Sequence, residues 1–310
     1  MGNEFKEQTG HSAEHFGDTR DHWWNLDFLK LMAKRWSFDA VHHVLDVGCG
    51  VGHWGMLLAR VLPEDARVTG IDRDPRWVEK ASERAKASGL GDRFAYCAAE
   101  AQQLPFPDDT FDLTTCQTVL IHLSDPGAAI AEMIRVTKPG GLVVGAEPNN
   151  LSEAMLLDSI ATRDDVDNIV ELLRFQLTCE RGKIALGEGD NSLGDLVPGL
   201  FAARELTNIE VYVNDKAGAI FPPYASDVQR AFAEEARDNL ARGLWIWSED
   251  ETRRFFLAGG GRVVDFPVHW QRGLASHANR VKGLDKGTYE GVVGGLFYLV
   301  AGRKPGRPSR

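Results

Sequence analysis

The stretch Val44–Gly55, VLDVGCGVGHWG, decides the fold. Three apolar residues, Val44, Leu45 and Val47, bracket a carboxylate, Asp46. Glycines then alternate with other residues at Gly48, Gly50 and Gly52, and an apolar run, Met56–Val61, follows. The pattern predicts a buried parallel strand that ends in a tight glycine turn and feeds the start of a helix. Glycine lets the backbone take positive φ and approach a ligand with no Cβ in the way. The helix start offers unpaired N–H groups to a polar or anionic ligand.

Outward from this turn, residues Val41–Gly141 repeat a strand–helix rhythm. Strands are predicted at His43–Val47, Arg67–Ile71, Phe94–Ala98, Phe111–Cys116 and Leu142–Ala146, with helices between them at His53–Leu62, near Pro75–Ala87 and at Pro126–Val136. Lys138-Pro-Gly-Gly141 reads as a turn. Proline in a first turn and Gly89 just past a helix end follow the known asymmetry of helix termini. Such alternation implies a parallel sheet covered on both faces, with ligands beyond the carboxyl ends of the strands. After residue 147 the rhythm breaks. The expected organisation is an N-terminal helical lid (1–40), a cofactor-binding core (41–147), a helical insertion (148–192), a core continuation (193–214), a second cap insertion (215–290), a last core strand (291–303) and a tail (304–310) expected to be disordered. Residues 11–38 carry Phe16, Trp23, Trp24, Leu29, Met32 and Trp36 at helical spacing, to pack on the sheet or to cover a ligand. Ser248-x-x-Glu251 is a capping box opening a helix that Gly259–Gly261 ends.

Composition narrows the partners. The 310 residues carry 45 acidic and 35 basic side chains, a net charge of −10, which argues against nucleic acid. No apolar run of about 18 residues appears, so no membrane span is expected. The N-terminal residues have no apolar core of the secretory kind, and Lys6 stands where a myristoylation signal wants Ser or Thr. Cys49, Cys97, Cys116 and Cys179 show no metal or redox spacing, so reduced thiols in a cytoplasmic protein are expected. No metal site is expected, and a homodimer is left open.

The chemistry sits at three strand ends. Gly50-x-Gly52-x-x-Gly55 fits a dinucleotide fingerprint, but Asp46 counts against a pyrophosphate there and favours a ligand with a cationic centre. Asp72, about 20 residues after Gly52, can accept both hydroxyls of a ribose. Glu100 can accept a hydrogen bond from an amino group such as an adenine N6, with Leu104 and Phe106 flanking a base. Together they describe an adenosine with an added cationic group.

VLDVGCGVGHWG, VTGIDRDP, AAEAQQLPFPDDTFDL, VLIHLSDP and RVTKPGGLVV, in this order, resemble the class I S-adenosylmethionine-dependent methyltransferases, most closely the branch with small-molecule acceptors. The resemblance implies an α/β, Rossmann-like, seven-stranded and mostly parallel sheet with its last strand antiparallel, plus helical cap insertions. It implies S-adenosyl-L-methionine as cofactor and S-adenosyl-L-homocysteine as product. Asp46 and the glycine turn (Gly48, Cys49, Gly50) would face the methionine part, Asp72 the ribose, and Glu100 with Ala101 the adenine; Arg73 is a further cofactor-binding candidate, and His53 either contacts the cofactor or simply caps the helix. Gln117 and His122 follow strand four, where the family lines its pocket. The family more often has Asp where Glu100 stands.

Methyl transfer is an in-line displacement, so the protein mainly aligns its reactants. A general base is needed only if the acceptor loses a proton. Candidate catalytic residues are His122 and His269, with Glu147 and Tyr289 further possibilities. The second insertion, about 75 residues where an ordinary connection is short, carries Phe221, Tyr224, Trp245, Trp247, Phe255, Phe256, Phe266 and Trp270. These suggest an apolar or aromatic small-molecule acceptor, or else the cap's own core. Alternatives are a protein of the same fold that binds S-adenosylmethionine without methylating, cyclase-like or regulatory, and a nicotinamide oxidoreductase.

Overall fold

The computed structural model describes residue 20, residues 22–155 and residues 157–306. Phe16 and the last four residues of the basic tail lie outside the described residues. Two units emerge: a sheet unit of Trp24–Met155, Lys183–Ala217 and Gly294–Arg310, and a cap unit of Met1–Trp23, Leu156–Gly182 and Gly218–Val293.

The strands in chain order are β1 (His43–Val47), β2 (Arg67–Asp72), β3 (Phe94–Ala98), β4 (Phe111–Gln117), β5 (Thr137–Asn149), β6 (Thr207–Val213), β7 (Gly218–Ile220), β8 (Gly291–Val293) and β9 (Leu296–Arg303). The helices are α1 (Leu26–Arg35), α2 (His53–Leu58), α3 (Pro75–Ala87), α4 (Pro126–Val136), α5 (Val166–Ala185), α6 (Val197–Ala202), α7 (Asp227–Ala241), α8 (Glu249–Ala258) and α9 (Phe266–Asp285). The sheet unit holds seven strands in the order β3-β2-β1-β4-β5-β9-β6. The pairs among β1–β5 are parallel, and β9 runs antiparallel to both neighbours. This is the Rossmann-like sheet with an antiparallel last strand that the motifs imply.

Local chemistry starts the helices. Asp74 accepts from Arg76 N before Pro75, and Asp125 accepts from Ala128 N before Pro126. Alternation along β1 sends Leu45 and Val47 to one face, where they join Ile130 and Met133 of α4 and Phe201 of α6 in one buried core. Val44 and Asp46 point to the other face. There Leu29 and Met32 of α1, and Trp36 just past its end, meet Trp54, Leu58, Leu113, Val144 and Leu299.

Three boundaries differ from the sequence reading. The turn at Lys138–Gly141 is absorbed into β5: Phe111 pairs with Thr137 and Leu113 with Leu142, so the extra residues bulge out. The expected last core strand at 291–303 is two strands, broken where Gly294 takes φ +133. Residues 24–40, expected as part of a lid, belong to the sheet unit. Their apolar face is buried there, with Trp24 against Trp54 and Phe297 at ring separations of 5.1 and 5.7 Å.

The cap unit has its own core. Phe175, Phe255, Phe256, Phe266 and Trp270 are buried together, with Trp245 stacked on Phe175 at 4.7 Å and Trp247 edge-on to Phe255. A second cluster seats Ile220, Ala233, Val281 and Tyr289 between α7, α9 and the antiparallel β7–β8 pair. The Ser248–Glu251 capping box forms as read, and a second, Ser226–Gln229, opens α7.

Candidate functional site

Strand register lays a row of residues beneath the glycine turn. Thr115 pairs with Asp46, Asp46 with Gly70, and Gly70 with Tyr96. The first turn of α2 is fixed to this row. Trp54 Nε1 donates to Thr115 Oγ1 at 2.9 Å, and Gly55 N donates to Asp46 Oδ2 at 3.0 Å. Tyr96 lies across Gly70, where an added Cβ would fall 2.5 Å from its ring, and its hydroxyl reaches beneath Gly52, 2.7 Å from an added Cβ. Gly52 itself has φ +81, so both its conformation and the space beneath it require glycine. Around the turn, Cys49 N donates to Ile71 O, Gly52 N to Cys49 O, and Gly50 N to Asp72 Oδ2 at 3.0 Å.

Asp46 is the electrostatic centre of the row. It is 1% exposed, and its Oδ1 and the Tyr96 hydroxyl are both buried without a hydrogen bond. Burial pushes its carboxyl up to about 7; the Gly55 N–H opposes the rise and Asp72 adds to it. Burial and the nearby Asp46 also push the Tyr96 phenol up. A buried carboxylate with one unpartnered oxygen is a place where positive charge is favourable.

The other expected cofactor residues fall at the carboxyl ends of the same strands. Asp72 is buried, and besides Gly50 N it accepts from Asp74 N at 3.0 Å. Arg73 and Glu100 are exposed, and Glu100 O caps a small turn by accepting from Gln103 N. Ala101 is half-buried beside the core. His53 begins α2, Gln117 ends β4, and His122 is exposed at the end of a 3-10 turn, Leu120–His122. Leu104 is 4% exposed within the core, and Phe106 packs edge-on against Phe111 at 5.1 Å. Cys49, Cys116 and Cys179 are buried free thiols and Cys97 is half-buried.

Two of the candidate bases are committed to structure. Glu147 is fully buried and accepts from the backbone N–H groups of Val119, Leu120 and Ile121. In the cap unit, the Tyr289 hydroxyl donates to Asp158 Oδ2 at 3.0 Å. His269 lies within the cap's aromatic core, stacked on Phe175 at 5.2 Å with its Nδ1 buried and unpartnered. His122 alone of the four stands exposed on the sheet unit. The sequence reading missed Tyr96, whose signal was Gly70 inside a β-branched strand, a glycine that makes room for a neighbouring side chain. It also missed the Glu147 contacts; an acid inside the apolar strand Leu142–Ala146 and its flank was their trace.

Residues 39–193 match the protein family described as "Methyltransferase domain". The methyltransferase GfsG of Streptomyces halstedii is 37% identical over 129 residues, 42% of this chain and 45% of that protein. The sterol 24-C-methyltransferase erg6 of Aspergillus fumigatus is 29% identical over 269 residues, 84% of this chain and 65% of that protein. Among solved structures, the YcgJ protein of Bacillus subtilis is 20% identical with a TM-score of 0.49, covering 91% of this chain and 100% of that one. The chain spans about half the length of several curated relatives that it matches. Among the described residues, no helix is long and apolar enough to cross a membrane.

Proposed function

The chain belongs to the class I S-adenosylmethionine-dependent methyltransferases, and on that premise we propose that it transfers a methyl group to a small apolar molecule. The observation that carries the cofactor assignment is Asp46: a buried carboxylate with an unpartnered oxygen, beside a turn in which Gly48 and Gly52 leave no room for a Cβ atom. A pyrophosphate would be repelled from that position, whereas a ligand with a cationic centre gains from it. The residues present fit S-adenosylmethionine. Gly48, Cys49, Gly50 and His53 would hold its methionine part above Asp46, Asp72 and Arg73 its ribose, and Glu100 with Ala101 its adenine, with Gln117 and His122 beside the methyl end.

S-adenosylmethionine supplies a methyl group on a cationic sulfur, which is electrophilic without further activation. What remains for the protein is alignment and exclusion of water. Asp72 fixes the turn by accepting from Gly50 N. Asp46 fixes the helix start by accepting from Gly55 N. His122 is the group proposed to take a proton when the acceptor carries one, since it is exposed at the end of the turn that follows β4, whereas Glu147 and Tyr289 are buried. Of the cap aromatics that suggested an apolar acceptor, Trp245, Trp247, Phe255, Phe256, Phe266 and Trp270 belong to or pack against one buried cluster. Support for such an acceptor comes instead from the named sterol methyltransferase, matched over most of this chain.

Calorimetry on the purified protein tests the cofactor. S-adenosylhomocysteine should bind and NAD should not, and Asp72→Ala should weaken binding about tenfold or more, since it removes a charged acceptor from both turn and ligand. Tight NAD binding without S-adenosylhomocysteine binding would overturn the reading. Binding without transfer to any member of a panel of sterols, quinones and phenols would favour a non-methylating role.

A further inference from the structure

The segment that follows β4 is held by its amides and by a carbonyl at once. Thr118, the first residue of the segment Thr118–His122, is β-branched and has φ +52. Such a residue adopts that conformation only where its surroundings enforce it. Glu147 Oε1 accepts from Val119 N and Leu120 N at 3.0 Å each, and Oε2 accepts from Ile121 N at 3.4 Å. The carbonyl of Ile121 is taken by Lys183 Nζ at 3.0 Å, and Gly189 packs so close to it that an added Cβ would collide. Val119 in turn sits on Gly48, with Cγ2 2.5 Å from where a Cβ would be.

Both ionisable side chains are buried, Glu147 at 0% and Lys183 at 5% exposure. Charges in such a place cost more than apolar residues of the same volume. Their return lies in geometry: three consecutive N–H groups and one carbonyl are fixed in direction, which no apolar side chain can do.

We propose that Glu147 and Lys183 are positioning residues that lock Thr118–His122, keeping Val119 over the glycine turn and His122 at the end of the site. Only the location of the chemistry at His122 rests on the methyl-transfer reading. The clamp itself is independent of it. Glu147 acts through the segment and touches no reactant.

Hydrogen–deuterium exchange and S-adenosylhomocysteine calorimetry on the full chain test this with Lys183→Met and Lys183→Gln. Lys183→Met loses the donor. Peptides covering 118–122 should exchange about tenfold faster, while peptides from β1 and β2 keep the wild-type rate, and affinity should fall about tenfold. Lys183→Gln keeps a donor without charge and should stay within about threefold of wild type in both readouts. Unchanged exchange in Lys183→Met, or equal loss in both variants, would overturn the clamp. If Lys183→Met does not fold, Glu147→Gln decides: its amide can accept from Val119 and Leu120 but not also from Ile121, so faster exchange at Ile121 is expected and unchanged exchange there refutes it. Wild-type protein that fails to bind S-adenosylhomocysteine would refute the proposed function and leave the exchange test intact.

Discussion

Gly48→Val should abolish measurable S-adenosylhomocysteine binding in a protein that still folds. Gly48 has φ +66, and an added Cβ would lie 2.5 Å from Val119 Cγ2 and 3.0 Å from Cγ1. A β-branched residue in the left-handed region costs roughly 1–3 kcal/mol by itself. The collision adds to that, because Val119 cannot retreat: its N–H is held by Glu147. The turn must therefore move toward the space that a ligand would use, and an affinity loss of about a hundredfold or more is expected by calorimetry. Gly89→Ala is the control. Gly89 also has positive φ, +71, yet nothing lies within 4 Å of an added Cβ. It should lose about 1 kcal/mol of stability and keep its affinity. Gly48→Val binding within tenfold of wild type would refute the geometric account.

The second large effect is on stability as a function of pH. Burial raises the carboxyl of Asp46 from 3.8 to about 7 and that of Glu147 from 4.5 to about 7. Hydrogen bonds from Gly55 N to Asp46 and from Val119, Leu120 and Ile121 N to Glu147 only partly oppose this. Folded pKa values above unfolded ones mean that the native state holds protons the unfolded chain has released. This stabilisation is fully present below the unfolded pKa values and is lost as pH rises through about 7. At about 1.4 kcal/mol per pKa unit, the Asp46 shift alone is of the order of 4 kcal/mol. Asp46→Asn keeps an oxygen for Gly55 N and cannot ionise. Urea denaturation should find it more stable than wild type by a few kcal/mol at pH 8.5, with the advantage gone at pH 4. A difference between the two proteins that is the same at both pH values would sink this assignment.

Much of the sheet unit was legible because its local signals and its fold agree. Glycines at Gly48, Gly50 and Gly52, prolines at Pro75 and Pro126 after capping aspartates, and alternation along β1 each act within a few residues of where they stand. What escaped the sequence depends on partners far along the chain. The Lys138–Gly141 turn reads as a boundary, yet pairing with Phe111 draws Thr137 into the strand. Leu104 and Phe106 read as ligand-facing loop residues, and long-range packing claims Leu104 for the core and sets Phe106 against Phe111. The cap aromatics show the same ambiguity. Composition identifies large apolar side chains but not whether they cover a ligand or one another, and here Phe175, Phe256 and Phe266 cover one another. Within the site, the role of Glu147 needed the position of residues 119–121, which sequence distance conceals.

The break at Gly294 bears on how such a chain can change over generations. On the sheet side of it, Asn214 N donates to Phe297 O beside the β6–β9 pair; on the cap side, Gly218 pairs with Val293. The block Gly218–Val293 therefore departs and returns on neighbouring, paired strands. A segment whose two ends lie side by side can be lengthened, shortened or exchanged without pulling apart the strands that flank it. The strands that carry the row beneath the glycine turn lie outside this block.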